Sequence, residues 1–155
     1  MKIRADENVA PAIVRVVRDL ALSEGFELTS IIEIGQAGAG DVHWITRFAQ
    51  EGGQAILSGD KDFLRSPPQV DAVNRLGLRV IHMPGRWCNA RGHMQTSHLL
   101  MWWPRIERKL AEMAPRDCYS PPWNVAEDGQ LKQVVIPYAD AEKKLKRAAK
   151  RDAAG

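Results

Sequence analysis

Strand-like and helix-like segments alternate through the first half of the chain, and this alternation constrains the fold more than any other feature. Short apolar runs are typical of buried strands, and apolar residues at helical spacing lie between them. This order favours a parallel sheet with helices on both faces, because each parallel pair needs a crossover connection. We therefore predict a three-layer α/β fold with a short, mostly parallel sheet. The predicted strands are residues 2–6, 27–34, 54–58 and 78–83.

Helix boundaries follow from capping residues and prolines. Asn8 or a close neighbour is expected to cap the first helix, with Pro11 near its first position. Asp41 precedes a second helix that would bury Trp44 and Phe48. Later segments are less regular. The expected elements there are a short helix at 70–76, helical segments at 95–103 and 105–114, a hairpin of strands 123–126 and 131–136, and a last helix capped by Asp140. Pro104 separates the two helical segments and would either start the second or kink a continuous helix.

Composition excludes several classes of protein. The chain has 155 residues, of which 45% are hydrophobic and 26% charged, as expected for one globular domain with at most a small appendage. No apolar run reaches the length that spans a bilayer, so we expect no membrane association. The first seven residues include four charged side chains and do not resemble the apolar core of a signal peptide. Two cysteines cannot form a disulfide framework. A cytoplasmic location is therefore expected.

The net charge of +3 is unevenly distributed. Residues 140–155 hold six of the 22 bases and three of the 19 acids, so residues 1–139 hold sixteen of each. A basic domain would suggest nucleic acid as a partner, but here the excess describes only a tail. That tail is either a solvated helix or an arm that holds a substrate or docks a partner. The substrate must be inferred from the neutral body.

Four carboxylates fall where the carboxyl ends of parallel strands should meet. Asp6 ends the first strand, Asp60 and Asp62 follow the third, and Asp41 opens the intervening helix. Clustered carboxylates repel one another unless a cation neutralises them, and hard oxygen ligands suit Mg²⁺ or Mn²⁺. Such ions activate water for phosphodiester hydrolysis. The pattern therefore predicts a metal-dependent phosphoryl-transfer site.

Each carboxylate also has a purely structural interpretation. Asp41 is a good helix cap, and Asp60 to Asp62 is a good turn built from side-chain-to-backbone hydrogen bonds. Glu7 is either a further ligand or, with Asn8, part of a cap. Ser58 either orients substrate or stabilises the end of its strand.

Three segments of the chain resemble those of PIN-like domains, and most closely the short bacterial group that includes VapC-type toxins. The segments are Ile3-Arg-Ala-Asp-Glu-Asn8, Gly38-Ala-Gly-Asp41 and Leu57-Ser-Gly-Asp-Lys-Asp-Phe63. The resemblance continues into Gly85-Arg-Trp87 and Leu100-Met-Trp-Trp-Pro104, and it covers about residues 1–114.

This resemblance implies a Mg²⁺- or Mn²⁺-dependent endoribonuclease, the toxin of a toxin–antitoxin pair. Asp6, Asp60 and Asp62 match the metal-binding acids of the family, and Asp41 matches the acid at the start of its middle helix. RNA or tRNA is the implied substrate, a cognate antitoxin the implied partner, and relatives of this type often form homodimers. The expected organisation is a PIN-like nuclease domain at 1–115 and a C-terminal extension, hairpin plus basic helix, at 116–155.

Secondary roles are expected beside these acids. Ser58 and Asn8 would orient the site, with Glu7 as a further candidate. Basic side chains within residues 1–139 are expected to line an RNA path, and Arg86 is expected to contact a phosphate. These bases are Arg4, Lys61, Arg65 and Arg86.

Two alternatives to a nuclease stay open at this point. Residues 5–28 also look like the opening of a two-component receiver, which would be phosphorylated on Asp60. A receiver needs a lysine before the proline that follows its last strand, and here Met83 precedes Pro84. The other alternative is a non-catalytic PIN-like binding module. Trp102 and Trp103 are expected in the core or at an interface rather than as base-stacking residues.

Overall fold

Six short strands form one sheet in the structure, a computed structural model that describes residues 1–155. The strand order is β2-β1-β3-β4-β5-β6, and β6 is the one strand that runs antiparallel to its neighbour. All four predicted strands are present. The strands are β1 (Lys2–Ala5), β2 (Glu27–Ser30), β3 (Ala55–Ser58), β4 (Arg79–His82), β5 (Cys118–Ser120) and β6 (Lys132–Val134).

Helices cover both faces of this sheet, which confirms the predicted three-layer α/β class. One face packs against two of the helices, α1 and α5, and the other against α2, α3 and α6. A 3₁₀ turn, Phe63–Arg65, leads into α3. The helices are α1 (Pro11–Leu20), α2 (Asp41–Gln50), α3 (Pro67–Leu76), α4 (Gly85–Cys88), α5 (Gly92–Glu112) and α6 (Tyr138–Ala154).

Alternating side chains of the strands supply two separate cores. In β3, Leu57 belongs to the core beneath α1 and α5, while Ile56 belongs to the core beneath α2 and α3. This alternation is the two-residue period of a strand. Trp102 and Trp103 are fully buried in the first core, which confirms their expected place in the protein interior.

Of the two outcomes expected at Pro104, the structure shows one continuous helix, because α5 runs unbroken from Gly92 to Glu112 with this proline inside it. An internal proline costs about 3 kcal/mol in a helix. Its neighbours Trp102, Trp103 and Ile106 are fully buried, and each buried large apolar side chain contributes about 1.5–3 kcal/mol. Packing therefore outweighs the local penalty. Neither α5 nor any other helix is long and apolar enough to cross a membrane.

The second strand is shorter than predicted, since β2 ends at Ser30 instead of residue 34. The Ser30 hydroxyl accepts the backbone N–H of Ile32 at 3.1 Å, and the Ser30 carbonyl accepts that of Ile34 at 3.3 Å. These bonds close a turn that continues to Gly35, whose φ is +71°. Residues 31–34, which are apolar except for Glu33, therefore form a turn and not the end of a strand.

The prediction for the C-terminal hairpin is wrong in its first strand. Residues 123–126 form no strand, and β6 instead pairs with β5, with Ser120 opposite Lys132. Pro121 and Pro122 end β5, since neither carries a backbone N–H for the ladder. Because β5 also pairs with β4, these strands extend the main sheet. The division of the chain at residue 115 stays a prediction.

The predicted helix caps lie one to three residues from the observed ones. The residues before α1, α2 and α6 are Ala10, Gly40 and Pro137, and none of them makes a side-chain capping bond. Asp41 and Asp140 lie inside the first turn of their helices. There, their negative charges still complement the helix dipole.

Candidate active site

The sheet changes winding direction between β1 and β3, since the chain leaves β1 toward β2 on one side and returns to β3 on the other. In open α/β sheets, ligands bind beyond the carboxyl ends of the strands at such a switch point. Asp6 follows β1 here, and Gly59 and Asp60 follow β3. We call Asp6, Ser58, Gly59 and Asp60 the acidic rim.

Asp6 is held by three hydrogen-bond donors although only 3% of its surface is exposed. Its Oδ1 accepts the backbone N–H groups of Asn8 at 3.0 Å and Gly59 at 3.1 Å, and the Ser58 hydroxyl donates to its Oδ2 at 2.5 Å. Carboxylates bound in this way have fixed geometry, because each oxygen is oriented by a donor on a rigid element. The chain thus places one immobile carboxylate at the switch point.

Asp60 lies directly beside this carboxylate and is half-buried. The backbone N–H of Asp60 donates to Ser58 Oγ at 3.2 Å, so the serine hydroxyl links both acids. Asp60 Oδ1 accepts the backbone N–H of Asp62 at 2.9 Å, which is the expected side-chain-to-backbone turn. The other carboxylate oxygen of Asp60 accepts no hydrogen bond. The turn is therefore compatible with a second role for Asp60.

The electrostatics of the acidic rim favour a bound cation. Burial raises the pKa of Asp6, the charge of Asp60 adds to the rise and its three hydrogen bonds oppose it, so that the pKa is about 6. No lysine, arginine or histidine forms an ion pair with either carboxylate. A divalent cation would compensate this uncancelled negative charge.

Gly59 allows the two chain segments to approach each other. A Cβ on this residue would lie 2.8 Å from the backbone oxygen of Asn8 and 3.0 Å from Cζ3 of Trp87. Trp87 is fully buried, and its indole N–H donates to the carbonyl of Gln95. Neither obstacle can move easily, so a glycine is required between the two acids.

Sequence reasoning missed two side chains at the acidic rim, His82 and Cys88. His82 Nε2 lies 2.9 Å from the backbone oxygen of Asp60, and the Cys88 thiol donates to the carbonyl of Gly59 at 2.9 Å. Burial and the charges of Asp6 and Asp60 raise the pKa of Cys88, which keeps the thiol protonated. His82 was detectable, because it ends β4 in register with Ser58. Cys88 lies in α4, which was not predicted.

Asp41 makes contacts unlike those of the acidic rim. One of its oxygens accepts the indole N–H of Trp44 at 3.0 Å, and the other accepts the side-chain amide of Gln69 in α3. We call Asp41, Trp44 and Gln69 the helix corner, since these residues join α2 to α3. Asp41 does not join Asp6 and Asp60 in a group of three ligands that could hold a metal ion.

The remaining predicted polar residues contribute less to the geometry. Glu7 is exposed and makes no hydrogen bond through its side chain. Asn8 contributes its backbone N–H rather than its amide side chain. Asp62 is exposed, and its carboxylate lies 3.4 Å from the guanidinium of Arg65.

Three of the four bases expected along an RNA path are exposed, namely Lys61, Arg65 and Arg86. Lys61 and Arg65 flank Asp62, and Arg86 lies over the ring of Trp123 at 5.4 Å. Arg4 does not belong to such a path. It is 8% exposed and bonds to Thr29 while lying over the Phe48 ring, so it stabilises the sheet instead.

The four predicted carboxylates do not form one cluster, and no three His, Cys, Asp or Glu side chains of the chain lie close enough to hold a metal ion. Asp6 and Asp60 are the pair that the fold brings together. Mg²⁺ keeps several waters and often binds through only one or two carboxylates. The pair therefore fits such a cation, and the ligand assignment stays a prediction.

Met83 occupies the position where a receiver domain needs a lysine, and it is fully buried. A thioether in the core supplies no positive charge for a phosphorylated Asp60. The strand order β2-β1-β3-β4-β5 is common among doubly wound proteins and does not separate the two classes. The missing ammonium group thus counts against a receiver.

Comparison with known proteins identifies the family. No curated protein and no solved structure matches the chain. A family model described as a PIN-like domain matches residues 1–85, which is more than half of the chain. The matched region runs from β1 through β4 and contains the whole acidic rim and helix corner. The chain therefore belongs to the family of PIN-like domains.

Proposed function

We propose that this protein is a metal-dependent endoribonuclease that hydrolyses RNA phosphodiester bonds with Mg²⁺ or Mn²⁺. Membership of the PIN-like family suggests a nuclease. The observation that carries the proposal is the adjacent pair Asp6 and Asp60, buried or half-buried at the β1–β3 switch point without a neutralising base. Two such carboxylates are unfavourable in an empty site and suit one that binds a cation.

Asp6 and Asp60 would hold the cation. When bound, Mg²⁺ or Mn²⁺ lowers the pKa of a water molecule and offsets negative charge on the phosphate. The Ser58 hydroxyl and the backbone N–H groups of Asn8 and Gly59 fix Asp6 and favour its ionised form. We assign to Asp62 the orientation of the attacking water, because its carboxylate is exposed two residues beyond Asp60. The reaction requires no covalent enzyme intermediate.

The sequence resemblance to VapC-type proteins extends this proposal. We infer that the protein is the toxin of a toxin–antitoxin pair, with a cognate antitoxin as its partner and RNA or tRNA as its substrate. Induced expression of the wild type should then arrest the growth of a bacterial host, whereas Asp60→Asn should not. Equal growth of the two cultures would contradict the toxin assignment while leaving the nuclease assignment open to the assay below.

The nuclease proposal is tested with purified protein and total RNA. The wild type should produce defined new RNA ends with Mn²⁺, and excess EDTA should abolish them. Asp60→Asn should be inactive yet folded by circular dichroism. Asp19→Asn is a matched control, because Asp19 is an exposed aspartate on α1 that forms no ion pair.

Three results would contradict the proposal. Cleavage that persists in EDTA would exclude the metal, and cleavage by Asp60→Asn at the wild-type rate would indicate a contaminant. An inactive wild type that also fails to bind Mn²⁺ would favour the non-catalytic binding module.

A further inference from the structure

A groove runs between α6 and the start of α3, outside the acidic rim. Its volume is about 750 Å³. Pro67 and Pro68 form one wall, and residues 144–151 of α6 form the other. A second cavity of about 350 Å³ shares Pro67 and Lys144 and extends to Arg65. We call the two together the α6 groove.

The α6 groove concentrates positive charge. Four bases line its larger part, and no acid does. Asp140 lines the smaller part and pairs with Lys144 at 3.0 Å, but the other three bases form no ion pair. The whole basic excess of the chain lies in residues 140–155, so the groove contains most of it. The four bases are Lys144, Arg147, Lys150 and Arg151.

The spacing of these bases matches one stripe of a helix. Lys144, Arg147 and Arg151 lie at positions i, i+3 and i+7, which share a helix face. At 1.5 Å per residue, the stripe is about 10 Å long. It therefore presents a row of positive charges rather than a single anion site.

The apolar surface of the groove is small and contains no aromatic ring. In the larger part its apolar side chains are Leu145 and Ala148, both half-buried, beside the two prolines; in the smaller part they are the half-buried Leu64 and the buried Val70 and Ala141. An acidic peptide helix would need a larger apolar surface for its own hydrophobic face. Without an aromatic side chain, the nucleobases of a bound nucleic acid cannot stack there. Charge thus dominates, and a repeating anion is the ligand that fits best.

The groove also adjoins the acidic rim along the chain. Arg65 ends the 3₁₀ turn that begins directly after Asp62, and the backbone N–H of Asp62 bonds to the Asp60 carboxylate. Pro67 then opens α3 and the wall of the groove. One short segment therefore connects the candidate catalytic acids to the basic groove.

We propose that the α6 groove binds the sugar–phosphate backbone of single-stranded RNA next to the segment that is cleaved. The proposal rests on the proposed function, because it takes RNA as the substrate. The groove contributes charge and not base recognition, so it increases affinity for RNA of any sequence. It would be a substrate-holding surface of the C-terminal helix.

Two matched variants of α6 test this proposal. Lys144→Gln/Lys150→Gln removes two lysines that line the groove, and Lys143→Gln/Lys146→Gln removes two that do not. Each variant also breaks one ion pair with an acid four residues earlier, to Asp140 or to Glu142. Circular dichroism should confirm equal helix content. Any difference in RNA affinity between the two variants then depends on whether the removed charges line the groove.

Binding is measured by fluorescence anisotropy with a labelled 12-nucleotide single-stranded RNA. Every protein carries Asp60→Asn and is kept in EDTA, so that binding is separate from cleavage. The groove variant should bind roughly tenfold more weakly at 0.1 M salt, with the slope of log affinity against log salt smaller by about 1.4. The control variant should lie within about twofold of its parent protein.

Other outcomes would overturn the proposal. Equal losses in both variants would show a general charge effect, and no RNA binding by the parent protein would exclude RNA. Competition by poly-glutamate at the same charge concentration as RNA would identify an acidic polypeptide as the ligand. Failure of the nuclease proposal appears instead in the cleavage assay with wild-type protein, so the two failures are distinguishable.

Discussion

Asp6 in the acidic rim and Asp41 in the helix corner were predicted to serve one site, yet their surroundings differ. Backbone N–H groups and Ser58 hold Asp6 beside a second carboxylate. The side chains of Trp44 and Gln69 occupy both oxygens of Asp41 and join two helices. A place near the sheet edge therefore does not give two aspartates the same surroundings. What distinguishes Asp6 is the second carboxylate, Asp60, beside it, with no basic side chain paired to either.

The largest expected difference between the two aspartates is in catalysis. Asp6→Asn should reduce metal-dependent RNA cleavage by on the order of 10³-fold, because a bound cation contributes several kcal/mol to the transition state. Asp41→Asn should change the rate by less than about threefold. Single-turnover cleavage of a defined RNA at saturating Mn²⁺ measures both. A loss in Asp41→Asn as large as in Asp6→Asn would place Asp41 in the catalytic site.

The pH dependence of the free energy of unfolding should also distinguish Asp6 of the acidic rim from the other carboxylates. The pKa of Asp6 is about 6 in the folded chain and 3.8 ordinarily, so the folded state binds more protons between these values. The free energy of unfolding of the metal-free protein should therefore fall by roughly 3 kcal/mol as the pH rises from about 3 to 7. Above about pH 7 this contribution should be constant.

Asp6→Asn isolates this effect, since other groups titrate in the same range. The difference in unfolding free energy between wild type and variant should change by the stated amount between about pH 3 and 7, measured by urea denaturation in EDTA. Mn²⁺ at pH 7 should stabilise the wild type more than the variant. Parallel curves for the two proteins would exclude a raised pKa for Asp6.

The close approach of the two acids provides a third comparison, between Gly59 and Gly85. Gly59→Ala should destabilise the fold by about 2 kcal/mol, because its Cβ would meet the Asn8 backbone and Trp87. Gly85→Ala is the matched control at the first residue of α4, where a Cβ meets nothing within 4 Å. Thermal unfolding measures both. Equal melting temperatures would show that the rim has room for a side chain.

The sequence predicted the acidic rim because its residues follow strands, and the carboxyl ends of parallel strands meet at one edge. To predict that Asp6 and Asp60 lie at this edge, it was enough to recognise β1 and β3 in the sequence. Asp41 was assigned from its place before an apolar helix. Its partner Gln69 lies 28 residues away in another helix. No local sequence pattern encodes that hydrogen bond. The structural role of Asp41 therefore appears only in the folded protein, where α2 packs against α3.

The second half of the chain was harder to predict for the same reason. Local rules leave open whether Pro104 starts a new helix or lies within a continuous one, and the burial of Trp102 and Trp103 keeps α5 continuous. The three residues of β5 are too few for a clear alternation, and pairing with β4 defines this strand. Tertiary contacts decide both cases, and such contacts are not written in short segments of sequence.

The smallest expected effect is the coupling within the helix corner. A double-mutant cycle of Asp41→Ala and Gln69→Ala should give a coupling energy of about 1 kcal/mol, typical of one hydrogen bond between buried or half-buried side chains. Urea denaturation of the four proteins measures it, and all four should retain metal-dependent cleavage. A coupling near zero would mean that the Gln69 bond is energetically unimportant. Trp44 would then be the one donor that stabilises Asp41, and the assignment of this carboxylate to a link between α2 and α3 would fail.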